Sequence, residues 1–148
     1  GLIDEGCNDD DIVLVHDGVR PLVSEEIIHN NIETCKRNGF AVTGLTCKEA
    51  IMELKEDTVH KLSIPREKLI RTQTPHTYRL KSLIEAHRKA KELSICNTVA
   101  SCTLFAEIGD VEQYFVKGSE KNGLKLTNPE DVELFKAMKN TSPEPWMK

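Results

Sequence analysis

The chain has 148 residues, 39% of them apolar and 30% charged, with a net charge of -4, a balance that suits one domain with its own core. There is no basic excess for a duplex nucleic-acid footprint, and no apolar run nears the ~20 residues that a membrane span needs. Five cysteines (Cys7, Cys35, Cys47, Cys96 and Cys102), odd in number and lacking any Cys-x-x-Cys pair, argue against a disulfide framework or a zinc ribbon and for a reduced cytoplasm.

The chain opens on Gly1 rather than methionine, and "GLIDEGCNDDD" reads as the polar end of a helix running into a loop. The expectation is therefore a carboxyl-terminal part of something longer. Asp11 to His16 is a short aliphatic run between an acidic loop and a glycine, the pattern of a buried strand. Ser24 offers an N-cap, and Glu25 and Glu26 put negative charge in the first turn. Ile27, Ile28, Ile32 and Cys35 then recur at helical spacing up to Asn38-Gly39, a left-handed C-cap. Phe40 to Thr46 reads as a second strand, and strand, helix, strand predicts a parallel crossover. From Cys47 to Gln73 short mixed segments predict an arm, with a hairpin turning around Lys55-Glu56-Asp57. Thr77 to Lys91 has helical spacing through Leu80, Leu83, Ile84, His87 and Ala90. A short helix is expected over Thr98 to Ile108, a strand over Glu112 to Lys117, and a polar turn over Gly118 to Gly123. Asn128-Pro129-Glu130-Asp131 signals a last helix with Val132, Phe135 and Met138 as its buried stripe. The tail from 140 to 148 is expected to be loose, with Trp146 as a docking residue.

Four constellations can carry chemistry: Asp17 with Arg20, Ser63 to Arg71, Thr74-Pro75-His76, and Lys125 with Thr127. Three of them fall at a strand's carboxyl end or a helix start, positions that converge on one rim in open α/β sheets. There an Asp can hold hydroxyls or a divalent cation, while Arg and Lys hold phosphate oxygens. A phosphorylated, hydroxyl-bearing small molecule would suit such a rim. Plainer readings stand beside this one. Asp17-Gly18 is also an ordinary turn, His16 reads as a strand-end residue with no partner histidine at metal spacing, and Thr127-Asn128-Pro129-Glu130 is first of all a helix cap.

Taken in order, "VLVHDGVRPLVSEEII", "GFAVTGLTCKEAI", "RTQTPHTYRLKSLIEAH", "ASCTLF" and "VKGSEKNGLKLTNPEDVELFKAM" resemble the carboxyl-terminal two-thirds of the cytidylyltransferases acting on methylerythritol phosphate or ribitol 5-phosphate. The resemblance runs from about Asp11 to Met138. It implies a Rossmann-like α/β nucleotidyltransferase fold, here incomplete, as a single partial domain over 1–148. It also implies that the arm, 47–73, exchanges contacts across a homodimer. The implied reaction is attack of a polyol-phosphate oxygen on the α-phosphorus of CTP, with loss of pyrophosphate and with Mg²⁺ as cofactor. Neither nucleic acid nor membrane is an expected partner. By the same resemblance, Asp17 contacts the polyol hydroxyls or the metal, Gly18 and Arg20 belong to that substrate loop, and Lys125 stands near the phosphates as a catalytic residue together with Asp17. Ser63 replaces an arm threonine that reaches the partner's polyol phosphate, and Thr127 is a further substrate-binding position.

The departures are specific. The glycine-rich loop that cradles the CTP phosphates and the base-recognition segment have no counterpart in these residues. Ala100 stands where many relatives have an aspartate before Ser-Cys-Thr-Leu, an arm arginine expected near Met52 or Glu53 is missing, Thr-Pro-Gln is Thr74-Pro75-His76, and the turn through Asn122-Gly123-Leu124-Lys125 is one residue longer. The alternative expectation is a shortened, non-catalytic relative that binds polyol phosphate or only dimerises. "ASCTLF" and the "GFAVT" strand place ribitol 5-phosphate ahead of methylerythritol phosphate.

Overall fold

The aliphatic run after the acidic loop forms strand β1 (Ile12–Val15). Helix α1 (Glu25–Asn38) follows, its Ser24 Oγ accepting the Ile27 N–H at 3.3 Å. The helix stops at Gly39, whose φ of 85° only glycine adopts cheaply and whose N–H reaches the Cys35 carbonyl at 2.8 Å. The structure, a computed structural model, describes residues 2–55, 58–109 and 111–140. Strand β2 (Phe40–Thr46) runs from the cap into the sheet. A hairpin of β3 (Ile51–Lys55) and β4 (Thr58–Ile64) forms a separate two-stranded sheet, as the short segments after Cys47 predict, while Glu56 and Asp57 of the expected turn lie outside the described residues. After a single 3-10 turn at Arg66–Lys68 come β5 (Ile70–Arg79), α2 (Leu80–Glu92), α3 (Ser101–Ile108), β6 (Phe115–Lys117), the one-turn α4 (Glu120–Gly123) and α5 (Pro129–Asn140).

The main sheet has the order β1-β5-β2-β6. Strands β1 and β2 do run the same way, with α1 crossing between them, but they are not neighbours: β5 lies between them, antiparallel to both. Strand β6 is parallel to β2. One expectation is corrected, since Thr77 to Arg79 belong to β5 and the helix begins only at Leu80. Six successive residues from Thr72 to Thr77 are polar or proline, so no aliphatic pattern marks the most central strand.

A bulge makes that strand possible. Val42 pairs with His76 and Gly44 with Thr72, so one residue of β2 faces three of β5, and Pro75, which has no N–H to give a ladder, sits inside the interruption. Its peptide bond to Thr74 is cis. Side chains take up the groups that the ladder leaves over. Thr43 Oγ1 donates to the Pro75 carbonyl at 2.7 Å, and Asn31 Nδ2 donates to Thr43 Oγ1 at 2.7 Å. Asn122 Nδ2 donates to the Thr74 carbonyl and to Gln73 Oε1, each at 3.0 Å. Asn31, Thr43 and Asn122 are fully buried, so these bonds satisfy groups that would otherwise cost stability.

The larger apolar cluster lies between β5, α2 and α3. Tyr78 and Phe105 stack at 4.7 Å and Phe40 meets Phe105 edge-on at 5.1 Å, with Ala86, Ala90, Leu104 and Ile108 around them. Helix α3 starts at Ser101 rather than Thr98, because Thr103 Oγ1 takes the Ala100 N–H at 3.0 Å and fixes the entry there. The expected polar turn contains α4, capped by Ser119 Oγ on the Asn122 N–H at 3.0 Å. Helix α5 begins at Pro129 as predicted, but the expected buried stripe is corrected: Val132 is 38% exposed and Phe135 and Met138 are only half-buried. With Leu134 also apolar, these side chains spread over nearly half the helix circumference and define no single narrow face. Trp146 and the tail beyond Asn140 lie outside the described residues.

Candidate active site

At the carboxyl end of β1 the chain turns through His16 to Arg20, closed by the Arg20 N–H on the Asp17 carbonyl at 2.9 Å. His16 Nε2 lies 3.1 Å from the Arg20 carbonyl, which can only accept, so Nε2 carries the proton and Nδ1 is left as an acceptor. The Thr74 hydroxyl, 3.1 Å away, donates to that Nδ1 and accepts the Asp17 N–H at 3.0 Å. Nε2 therefore closes the loop on itself and Nδ1 holds it on β5. The residue is structural, which agrees with the plainer reading of it.

Arg20 bridges two segments far apart in sequence. Its Nε donates to Asp17 Oδ2 at 3.1 Å, and its terminal nitrogen donates to the carbonyls of Gly123 at 2.8 Å and Asn122 at 3.3 Å. The Leu126 N–H on the Val19 carbonyl, at 2.8 Å, fixes the next stretch in the same way. Lys125 Nζ thereby arrives 3.2 Å from the same Asp17 Oδ2. Desolvation pushes the Asp17 carboxyl up, but hydrogen bonds and charge from Lys125 and Arg20 outweigh it and hold the group below its ordinary range. One carboxylate between two cations leaves a single net positive charge. A phosphate is drawn to such a point.

These side chains form one wall of a cleft of about 200 Å³. Thr74 and His76 of β5 form its floor, and Ala100 and Ser101 at the start of α3 form the opposite wall. His76 is 2% exposed, and burial lowers its pKa from 6.5 to about 4, which keeps the ring neutral at pH 7. Its Nδ1 is 2.9 Å from Ser101 Oγ, which also accepts from the Tyr78 hydroxyl at 3.1 Å. Gly118 has a packing reason to lack a side chain, since a Cβ there would run into Gln73 Oε1.

The structure brings Asp17, Arg20 and Lys125 together as the sequence suggested. Gly18 lies exposed in the same loop, with open space around the position a Cβ would take. Thr127 is exposed and does not line the cleft; its N–H and hydroxyl both engage Asp131 Oδ2, at 2.8 and 3.0 Å. The backbone of Ser63 pairs with Met52 in the hairpin, while its side chain lies outside the described residues. Sequence reasoning gives no role to Ser101 or Asn122, and names His76 within the Thr74-Pro75-His76 constellation and as a departure without assigning it a role of its own. Neither Ser101 nor Asn122 stands out by type or spacing, and the contacts that matter span 23 to 103 residues.

Asp17 Oδ2 already meets two cations, so Oδ1 is the oxygen of this carboxylate left open to a Mg²⁺; such an ion is held by one or two carboxylates together with substrate phosphates and needs no larger cluster of protein ligands. Glu120 lies apart on the surface with Arg71 and Lys48.

Comparison with known proteins agrees with this geometry. The family profile described as IspD, 2-C-methyl-D-erythritol 4-phosphate cytidylyltransferase, matches residues 5–140. A ribitol-5-phosphate cytidylyltransferase of Lacticaseibacillus paracasei is 35% identical over 138 residues, covering 92% of this chain and 58% of that protein. A 2-C-methyl-D-erythritol 4-phosphate cytidylyltransferase of Clostridium acetobutylicum is 36% identical over 121 residues, covering 82% of this chain and 52% of its own length. The chain thus spans little more than half the length of these relatives. Among solved structures, the 2-C-methyl-D-erythritol 4-phosphate cytidylyltransferase of Thermus thermophilus superposes with a TM-score of 0.76 at 28% identity, over 93% of this chain and 65% of that one. The Francisella tularensis enzyme gives 0.78 at 25% identity, over 88% and 60%. The fold is the Rossmann-like one of these nucleotidyltransferases, and the chain belongs to the 2-C-methyl-D-erythritol 4-phosphate cytidylyltransferase family.

Proposed function

We propose that these residues form the polyol-phosphate side of a cytidylyltransferase site and that the whole protein transfers a cytidylyl group from CTP to ribitol 5-phosphate or methylerythritol 4-phosphate. The observation that carries this reading is the Asp17–Arg20–Lys125 cluster, two cations on one carboxylate oxygen at 3.1 and 3.2 Å, at the mouth of a cleft with a polar floor. In the reaction a phosphate oxygen of the polyol phosphate bonds to the α-phosphorus of CTP, and the bond to the departing pyrophosphate breaks. Positioning and neutralisation of charge supply the catalysis. Lys125 and Arg20 offset the phosphate charge, and Asp17 orients both and turns Oδ1 to a polyol hydroxyl. Mg²⁺ is the proposed cofactor; held by the substrate phosphates, it would add to the neutralisation of charge there.

Ribitol 5-phosphate is the preferred acceptor in this proposal, supported by the "ASCTLF" segment and by relatives of that name. The β3–β4 hairpin is proposed to pair two copies across a homodimer, bringing Ser63 to the partner's site. The cytoplasm is proposed as the setting, supported by cysteines that are all free and by the finding that no helix among the described residues is long and apolar enough to cross a membrane. The test is pyrophosphate release by the gene product with CTP and each polyol phosphate in turn. Faster release with ribitol 5-phosphate supports the ordering, and release with methylerythritol phosphate alone reverses it. Binding of polyol phosphate without any release would point to the non-catalytic relative, for which Ala100 in the cleft wall is the supporting observation.

A further inference from the structure

Behind the cleft, in the apolar cluster, Tyr78 is fully buried and its hydroxyl has Ser101 Oγ as its one acceptor among the described residues. Once Ser101 Oγ accepts from Tyr78, its own proton is free for His76 Nδ1 at 2.9 Å. This chain of donors satisfies both hydroxyl protons. A protonated Nδ1 would instead make Ser101 Oγ accept twice and leave the Ser101 proton without an acceptor among the described residues, which costs stability. The order Tyr78 to Ser101 to His76 therefore places the imidazole proton on Nε2. That atom is buried and has no hydrogen-bond partner among the described residues, while the Gln73 backbone carbonyl beside the ring favours the protonated form of the imidazole. His76 lines the same cleft as Asp17, whose Oδ1 has no hydrogen-bond partner among the described residues.

We infer that His76 is a specificity-determining residue for the acceptor, its Nε2–H donating to a hydroxyl oxygen of the polyol chain while Asp17 Oδ1 accepts that substrate's hydroxyl protons. The inference rests on the polyol-phosphate reading above and deepens it. A hydroxyl both donates and accepts, so it matches a cleft that offers one open donor and one open acceptor. A phosphate oxygen accepts only, and its place is beside Arg20 and Lys125. A buried N–H with no protein partner also discriminates well, because an acceptor lacking the hydroxyl leaves it unpaired.

The test is calorimetric titration of the full chain with ribitol 5-phosphate and, separately, with inorganic phosphate. Three proteins are compared: the unaltered chain, His76→Leu and His76→Gln. The expected result is a loss of roughly tenfold or more in ribitol 5-phosphate affinity for His76→Leu, with inorganic phosphate affinity unchanged. His76→Gln, whose amide still donates, should recover most of the loss. Equal affinities for ribitol 5-phosphate in all three proteins, or a parallel loss for both ligands, would overturn the inference. If the unaltered chain binds neither ligand, the polyol-phosphate reading itself fails and the inference with it. Imidazole nitrogen NMR of the unaltered protein gives an independent check that needs no ligand and no variant: the Nε2–H tautomer of His76 is expected, and the Nδ1–H tautomer would overturn the inference even if the polyol phosphate binds.

Discussion

The two walls of the cleft are built on opposite plans. On the Asp17 side nearly every polar atom is occupied by protein: His16 through both nitrogens, Thr74 through donor and acceptor, and Arg20 through Asp17 and two carbonyls. On the His76 side a three-residue relay ends in an unpaired donor. The first wall is held in place without a ligand, with Asp17 Oδ1 left open as an acceptor, and sets where charge stands. The second is complete only with a ligand. A loop wired to two distant segments can hold cations at fixed positions before substrate arrives, which is what catalysis by positioning requires. An open buried donor instead carries a standing cost that a matching ligand removes.

The sharpest way to break the contrast is to cut the wiring of the first wall. Arg20→Ala removes the bridge between the Asp17 loop and the Asn122–Gly123 turn and leaves two carbonyls short of a donor; because the Arg20 side chain is only 12% exposed, a loss of about 3 kcal/mol in urea unfolding is expected. Arg20→Lys should recover little of it, since an ammonium cannot span the same fork. A loss under about 1 kcal/mol would show that the loop does not depend on this bridge.

Acid tests the second wall. The folded pKa of His76 is lowered from 6.5 to about 4, so the unfolded chain binds its proton first. Its contribution to stability is fully present above pH 6.5, falls as the pH drops toward 4, and is lost below. The fall from this residue is on the order of 3 kcal/mol. Unfolding free energies measured across that window should decline more steeply in the unaltered protein than in His76→Gln, and identical slopes would contradict a buried neutral ring.

A smaller effect is expected at Asn122, which lies behind the first wall. Asn122→Ala frees the Thr74 carbonyl and Gln73 Oε1 and should cost about 2 kcal/mol. The smallest effect on folding is expected at Lys125, whose side chain is 46% exposed. Lys125→Met should change stability by less than about 1 kcal/mol while weakening inorganic phosphate binding several-fold. Loss of folding in that variant would move Lys125 from the binding wall into the scaffold.

The same division explains what could be seen in the sequence. Asp17, Arg20 and Lys125 were legible because their types announce phosphate chemistry and because they flank a strand end and a helix start. Strand β5 was not legible. Its centre reads Thr-Gln-Thr-Pro-His-Thr, and it stands as a strand only because Asn31, Thr43 and Asn122, distant in sequence, satisfy a bulge that no local pattern encodes. His76 was visible as a departure, yet its open nitrogen depends on Ser101 and Tyr78 together. Helix α5 was placed correctly from Pro129, but its apolar residues spread too far around the helix to form the buried stripe that the spacing of three of them suggested.

The most direct test of the central claim is a map of amide chemical-shift changes on adding ribitol 5-phosphate to the full chain without CTP. The account predicts saturable changes confined to the His16–Arg20 loop, Thr74, His76, Ala100–Ser101 and Lys125. Saturable changes centred instead on the groove between α2 and α3 lined by Glu85, Arg88 and Val111, or no changes at any concentration, would contradict it.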